Sequence, residues 1–229
     1  PESVTTIDSS AFRECTNLSE IVIPENVITM GSFVFGYSPT IVYCEALTKP
    51  DGWQSGWDGG CQVIWGHVNH GIIDGFKYAS IKDESGNAKC SIVEYVGELD
   101  TVVIPNFIND IKVTEIASEA FIDKSNIISV TLPSNLEKIG AAAFKGCGFA
   151  SIDLPSSLIS IDSSAFSMCL NLTSIVIPNA ITIISKSCFF GCTNLSDVVF
   201  PSSLISIEAG AFTGCAIASL SFPKNLTSI

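Results

Sequence analysis

Positively charged residues are scarce in this sequence. It contains 11 Lys and Arg against 23 Asp and Glu, which gives a formal net charge of −12 at pH 7. The cations are scattered singly and form no basic stripe that could follow a phosphate backbone, so the composition argues against nucleic acid or an anionic membrane surface as a partner. We interpret the acidity as a means of keeping an apolar protein soluble, with a specific basic partner as the alternative.

Long apolar runs are absent too, although 47% of the residues are hydrophobic. No stretch approaches the roughly 18 consecutive apolar residues that indicate a transmembrane helix, and the N-terminus lacks the charged and apolar segments of a signal peptide. The mean hydropathy of +0.44 excludes a disordered chain. Because the sequence begins and ends within a repeated pattern, we expect it to be a piece of a longer array whose targeting and anchoring segments lie elsewhere.

Histidine occurs only twice, at His67 and His70. No Cys or carboxylate stands beside them at a spacing typical of a zinc site, so we interpret both as solvated loop residues and expect neither a metal nor another cofactor. No Ser/His/Asp or Cys/His set shares a loop context with them, so the sequence offers no obvious catalytic base. An enzyme is the least favoured class of function.

The sequence instead contains a repeat of 22 or 23 residues, clearest in residues 155–177. Counting its proline as position 1, positions 4 and 7 are apolar, position 11 is mostly small, position 12 is Phe and position 15 is mostly Cys. The units open at Pro1, Pro24, Pro133, Pro155, Pro178, Pro201 and Pro223. Position 12 holds Phe12, Phe35, Phe144, Phe166, Phe189 and Phe212. This spacing is typical of a solenoid, in which stacked coils bury each other's apolar side chains.

Each unit predicts a short strand before its proline, a tight turn, a second extended run over positions 4 to 7, and one helical turn around the Ala-Phe pair. Asp8 and Asp162 stand where an N-cap of that helical turn would be, and Gly146, Gly191 and Gly214 stand where a left-handed exit favours glycine. One coil alone cannot bury enough apolar surface to be stable. We therefore expect the coils to stack at the roughly 4.8 Å spacing of paired strands.

Nine Cys are present, and six of them occupy columns of the repeat. Cys188 replaces the small residue of position 11, and position 15 holds Cys15, Cys147, Cys169, Cys192 and Cys215. We predict buried thiols rather than disulfides, because parallel side chains on stacked coils point alongside one another. Cys44, Cys61 and Cys90 lie off the pattern, and for the first two we consider a disulfide and a pair of free buried thiols as alternatives.

The repeat is interrupted between residues 45 and 104. The first array departs from its pattern after Phe35, and residues 41–43 are predicted to be its last strand. The segment that follows is rich in Gly and contains all three Trp, which are Trp53, Trp57 and Trp65. Two interpretations are open for them: a hydrophobic lid over the end of the stack, which we favour because terminal coils of solenoids need one, and a platform on which a ligand stacks.

Two extended runs, residues 76–81 and 88–95, flank turn residues 83–87 and predict a β-hairpin. The repeat resumes at Pro105 with five additional residues, so that Phe121 falls in position 12. We expect the hairpin to cap the second array and place a junction near residues 67–71. The predicted domains are residues 1–70, the end of a first array with its Trp-rich C-terminal cap, and residues 71–229, the hairpin followed by the second array.

The motif IPxxLxxIxxxAFxxCxxLxxI resembles that of the BspA-like class of leucine-rich repeats. The resemblance covers residues 1–46 and 105–229, where Pro, Ile, Ala-Phe and Cys recur together in a fixed register. It implies a leucine-rich repeat solenoid of short strands with one helical turn per coil, in two arrays. It also implies a secreted or cell-surface protein, as found on bacteria and some parasitic protists, that takes part in adhesion to host extracellular-matrix or cell-surface glycoproteins.

We therefore expect a monomeric, noncatalytic binding module that presents the outward side chains of its strands to a protein ligand. The candidate contact residues are Val22, Thr131, Asp153, Val176, Val199 and Ser221 in one row, and Glu20, Ser129, Ser151, Ser174, Asp197 and Ser219 beside it. The same residues also suit an ordinary solvated sheet face. The alternative function is a structural spacer that holds a distant domain away from the cell wall, and its strand faces would be featureless.

Overall fold

The computed structural model describes residues 1, 3–83 and 85–229. The chain divides into two compact units, which we call unit 1 (Pro1–His70 and Ala79–Lys89) and unit 2 (Gly71–Tyr78 and Cys90–Ile229). The expectation that residues 1–70 and 71–229 are separate domains stays a prediction, because it concerns independent folding.

All regular elements of the described residues are β-strands. They are β1 (Thr6–Ile7), β2 (Glu20–Ile23), β3 (Thr29–Met30), β4 (Ile41–Cys44), β5 (Gln62–Trp65), β6 (His67–Ile73), β7 (Phe76–Lys82), β8 (Ala88–Tyr95), β9 (Thr101–Val103), β10 (Phe107–Ile108), β11 (Ile111–Ile116), β12 (Ser129–Thr131), β13 (Lys138–Ile139), β14 (Ser160–Ile161), β15 (Ser174–Val176), β16 (Ile183–Ile184), β17 (Asp197–Val199) and β18 (Ser206–Ile207). β6 runs through the predicted junction at residues 67–71, so this segment is a strand and not a loop.

Unit 1 stacks its coils through parallel strands. β2, β4 and β5 pair side by side, with Val22 opposite Tyr43 and Tyr43 opposite Ile64. β1 and β3 form a second ladder, which Met30 continues through a bridge to Trp53. The Trp-rich segment therefore forms a coil that continues the columns of the repeat, and the expectation that the first array ends before it is wrong.

Unit 2 stacks in the same way. The strands before each proline pair as β9 with β12 and β15 with β17, and the second runs pair as β11, β13 and β14 and as β16 with β18. β8 pairs in parallel with β11, and Tyr95 stacks on Phe121 with 5.3 Å between ring centroids. β7 and β8 are neighbours in their sheet, which confirms the predicted hairpin. Its turn includes Glu84, which lies outside the described residues.

The predicted helical turn is wrong. Around each Ala-Phe pair the chain forms a six-residue segment of consecutive turns, and the second and sixth residues have positive φ, as at Ser164 (58°) and Met168 (59°). A second residue in the left-handed conformation interrupts a helix at its start. Every second amide of the segment then points along the stack, toward the next coil. The amides of Ser164, Phe166 and Met168 donate to Lys186, Cys188 and Phe190 in the next coil, at N···O distances of 3.0, 2.9 and 2.7 Å.

This geometry changes the meaning of two sequence signals. Asp8 and Asp162 cap no helix, and each instead accepts an amide hydrogen bond from the third residue after it through its main-chain carbonyl. The glycines predicted at the left-handed exit do have positive φ, with values of 73° at Gly146, 72° at Gly191 and 80° at Gly214. The exit was therefore predicted correctly, although the segment it ends is not helical.

The Phe column confirms the predicted register. Phe166 is fully buried, and its ring lies 5.7 Å from that of Phe144 and 5.5 Å from that of Phe189, with the planes within 7° and 4° of parallel. Phe12 and Phe35 stack at 5.5 Å in unit 1. Position 11 is small because a larger side chain would occupy space beside these rings, and Ala143, Ala165 and Ala211 are all buried.

The thiols of position 15 bind the neighbouring coil. Cys169 donates from Sγ to the carbonyl of Phe144 at 3.1 Å, and Cys192 to that of Phe166 at 3.0 Å. Cys147, Cys169, Cys188 and Cys192 are buried, as predicted, while Cys15 and Cys215 are partly exposed. Burial raises the pKa of Cys147 and of Cys192 to about 12, so these thiols stay protonated at neutral pH.

Cys61 belongs to the same column, contrary to its placement off the pattern. Its Sγ lies 3.7 Å from the carbonyl oxygen of Phe35 and 3.2 Å from that of Ser38. Ser38 stands in for Cys in the coil between, because its Oγ donates to the carbonyl of Phe12 at 2.7 Å. Cys44 and Cys61 are both free thiols, which decides against a disulfide between them.

Candidate functional site

The strand face of unit 2 consists of two rows of outward side chains, one residue of each row in every coil. We call them the first row (Val103, Thr131, Asp153, Val176, Val199 and Ser221) and the second row (Thr101, Ser129, Ser151, Ser174, Asp197 and Ser219). All are exposed except Ser174, which is half-buried. Successive residues of a strand point to opposite sides, so the residue between the rows, such as Ile175, is buried in the stack. Thr101 and Val103 were missed by the sequence analysis.

The first row contains three large apolar side chains in solvent. Val103, Val176 and Val199 are 65%, 62% and 49% exposed. Val176 lies directly opposite Val199 in the parallel pair of β15 and β17, and Val103 lies opposite Thr131. A single exposed Val is unremarkable, but neighbouring ones form apolar surface that a partner can cover.

A groove of about 340 Å³ opens on this face. Its lining comes from two successive coils and includes Ser151, Asp153, Ser174 and Val176 of the two rows, with Asn179 beyond the proline. From the two rows the groove therefore receives two hydroxyl groups, one carboxylate and one apolar side chain. This arrangement suits the side chains of a protein ligand rather than a small apolar molecule, which would need an enclosed pocket.

The strand face of unit 1 is different because it is largely covered. Tyr43 and Ile64 stand in register with Val22, yet they are only 1% and 8% exposed. The ring of Tyr43 lies 4.3 Å from that of His70 and 4.9 Å from that of His67, at the start of β6. Val22 stays 38% exposed at the edge of this cover.

The two histidines are not solvated loop residues. His67 is buried and its Nδ1 finds no hydrogen-bond partner among the described residues. Its Nε2 lies 3.3 Å from His70 Nδ1, and His70 Nε2 lies 3.5 Å from Glu20 Oε1. Burial, together with the charge of His70, holds the pKa of His67 below its usual range, while Glu45 acts in the opposite direction.

We expect acid to destabilise unit 1 through His67. A His whose folded pKa lies below its unfolded value of about 6.5 stabilises the fold above that pH, and this contribution is lost as the pH falls through the folded pKa. All three Trp lie in unit 1, so urea unfolding followed by Trp fluorescence should show a midpoint that falls between about pH 7.5 and about pH 5. The His67→Gln variant should show a weaker pH dependence, and an equal dependence would contradict the assignment.

The three Trp pack against one another in unit 1. Trp53 and Trp57 are buried, with ring centroids 4.7 Å apart, and the half-buried Trp65 lies 5.6 Å from Trp53. Trp53 Nε1 donates to the carbonyl of Val27 at 2.9 Å. Buried rings, and an indole N–H that already has a hydrogen-bond partner, favour a lid over a ligand platform. The role of the three Trp as an aromatic cap of the first array stays a prediction.

Residues 1, 3–83 and 85–229 contain no group of three or more His, Cys, Asp or Glu side chains placed to hold a metal ion. The same residues include no helix with the length and apolar character needed to cross a bilayer. The exposed rows of unit 2 offer valine methyls, hydroxyls and two carboxylates.

The family model of the BspA-type leucine-rich repeat region matches this sequence in six copies, over residues 1–49 and 114–229. The chain belongs to this family. In these BspA-type repeats the matched residues include the strands β1 to β4 and β12 to β18, the Phe column, and every thiol of the thiol column except Cys61. A search of curated proteins gives no match.

Solved structures of leucine-rich repeat proteins resemble this one. A leucine-rich repeat protein of T. pallidum is 32% identical, with 70% of this chain and 81% of that chain covered and a TM-score of 0.62. A leucine-rich cell surface protein of Faecalibacterium prausnitzii A2-165 is 25% identical over 99% of this chain, which spans 63% of that protein, with a TM-score of 0.59. The pneumococcal vaccine antigen PcpA, 18% identical over 98% of this chain and 65% of that chain with a TM-score of 0.52, shares the fold.

Proposed function

We propose that this BspA-type repeat protein is a noncatalytic adhesion module of the bacterial cell surface and that its protein ligand docks on the strand face of unit 2. The observation that supports this best is the pair of exposed valines, Val176 and Val199, beside an open groove. Solenoids use such continuous faces for protein recognition because each coil adds contacts in the same register. The surface location is inferred from the cell surface protein of F. prausnitzii.

The proposed ligand is a host extracellular-matrix or cell-surface glycoprotein. A flat face with serines, threonines and valines offers both hydrogen bonds and apolar contact, and protein interfaces combine these two kinds of interaction. The proposal also covers Glu20 and Val22 of unit 1. We give these two residues a smaller share of the binding, because Tyr43, which lies beside Val22 on that face, is buried under the two histidines.

Val176→Arg should weaken binding to whichever matrix glycoprotein the purified chain recognises on an immobilised panel. A long cation in place of a central valine removes apolar contact and blocks the approach of the partner, so we expect a loss of affinity of about tenfold or more. The measurement is surface plasmon resonance against each panel member, with the melting temperature as a check on folding.

Ile159→Arg is the matched control. Ile159 is 61% exposed, close to the 62% of Val176, but it lies outside both rows. Normal binding by this variant, together with loss in Val176→Arg, supports the strand face as the docking site. Equal binding by both variants would contradict it. A chain that binds no glycoprotein or glycan on the panel would favour the structural spacer.

A further inference from the structure

The charge on the strand face of unit 2 has one sign. The two rows contain two carboxylates, Asp153 and Asp197, and no Lys or Arg. Both carboxylates are exposed, and neither forms an ion pair within the part of the chain that the structure describes. Some carboxylates elsewhere in unit 2 are paired, since Lys138 Nζ lies 3.3 Å from Glu115 Oε1 and 3.5 Å from Asp162 Oδ2. The docking face is thus left with uncompensated negative charge.

The two carboxylates flank the exposed valines. Asp153 lies in the first row, in the coil before that of Val176. Asp197 lies in the second row, in the coil after that of Val176. Two coil steps of about 4.8 Å and two residues along the strand, about 3.3 Å each, separate them by roughly 12 Å. This distance is too long for one metal ion to bridge both carboxylates, since ligand oxygens lie about 2.0–2.6 Å from such ions.

We propose that the ligand segment that docks here is an extended, basic peptide with the pattern basic-x-apolar-x-basic. In an extended chain the residues i, i+2 and i+4 point to the same side, and i and i+4 are about 13 Å apart. Two Lys or Arg side chains at these positions reach Asp153 and Asp197, and the apolar side chain between them covers Val176 and Val199. This inference rests on the proposed function and names the chemistry of its partner.

The net charge of the whole chain supports the same partner. A protein with a net charge of −12 attracts cationic segments at long range, and exposed charge pairs then fix their register on the face. Such pairs are screened by salt because they are solvent-exposed. Binding should therefore weaken as ionic strength rises.

The probe is a fluorescein-labelled peptide with a Lys-Ser-Val-Ser-Lys core, and its control replaces both Lys by Glu. Fluorescence anisotropy with the intact chain should show binding of the Lys peptide that weakens at high salt, and no binding of the Glu peptide. Asp153→Asn combined with Asp197→Asn should weaken binding by about fivefold, as expected for two exposed pairs. Asp110→Asn, an exposed carboxylate outside both rows, should leave it unchanged.

Three results would overturn the inference: no binding of the Lys peptide, equal binding of the Glu peptide, or unchanged affinity in the Asp153→Asn, Asp197→Asn variant. The Val176→Arg variant separates this failure from that of the proposed function. In one outcome, Val176→Arg fails to bind the glycoprotein while the Asp153→Asn, Asp197→Asn variant still binds both the glycoprotein and the Lys peptide with unchanged affinity. In that case the strand face is the docking site and the proposed basic partner is wrong. If Val176→Arg binds the glycoprotein normally, the docking site itself is wrong.

Discussion

Phe166→Ala is expected to lower the free energy of unfolding by about 3–5 kcal/mol, the range found when a large buried aromatic side chain is truncated. The ring of Phe166 is fully buried and stacks on both faces, against Phe144 at 5.7 Å and Phe189 at 5.5 Å. Its removal leaves a cavity between two coils that the hydrogen-bonded turns prevent from closing. Urea unfolding followed by circular dichroism measures the loss.

Phe190→Ala provides the control with the same change of residue type. Phe190 is adjacent to the Phe column, but its side chain is 43% exposed. Removal of a half-exposed ring should cost about 1 kcal/mol or less. A similar loss in both variants would show that burial in the Phe column does not determine the stability of unit 2.

Gly148→Ala is expected to destabilise unit 2 by about 3 kcal/mol, at the upper end of the cost of forcing extra volume into a packed core. A Cβ on Gly148 would overlap the carbonyl oxygen of Ser125 and would lie 3.1 Å from that of Ile127. Both atoms belong to the backbone of the preceding coil, so a side-chain rotation cannot relieve the overlap. The melting temperature should fall by well over 4 °C.

Gly36→Ala is the control for this second prediction. The φ of Gly36, like that of Gly148, lies outside the left-handed region, and a Cβ on Gly36 would meet its nearest atom, the carbonyl oxygen of Phe33, at 3.4 Å. Ala should therefore be tolerated there, and the smaller entropy of its unfolded chain should make the change neutral or slightly stabilising. Comparable losses in the two variants would mean that the close approach at Gly148 is relieved at little cost.

The sequence predicted the stacking register well and the shape of the coil less well. The register was predictable because Phe recurs at position 12 of the repeat. Stacked coils place these rings in one column, and Phe144, Phe166 and Phe189 are indeed all buried. The helical turn was predicted wrongly because the left-handed second residue is Ser164 in one coil and Ala142 in another. Neither residue type signals positive φ, and the hydrogen bonds that stabilise it come from the next coil.

The Trp-rich coil was missed because its key positions carry unusual residues. Trp53 takes the place of Met30, and Asp58 stands 23 residues after Phe35, where the column would require another Phe. The spacing of 23 residues between Cys15, Ser38 and Cys61 was the available signal.

The candidate site was predictable only where strand alternation determines it. Alternation correctly predicted that Val176 and Val199 face solvent. It also placed Val22 in an open row, but the cover on the unit 1 face depends on the contact of His70 with Tyr43, between residues 27 positions apart in the sequence. Tertiary contacts of this kind leave no periodic trace, so pattern analysis could not find them.

The bonds between coils have a consequence for how this protein can change in evolution. The amides of Ser164, Phe166 and Met168 bond to main-chain carbonyls, and the amides of Ser187, Phe189 and Gly191 repeat this pattern one coil later. Because each donor meets a carbonyl and not a particular side chain, recombination that deletes or duplicates 22 or 23 residues rejoins two compatible edges. The number of coils, and with it the length of the binding face, is therefore free to vary in whole steps while the cross-section is conserved.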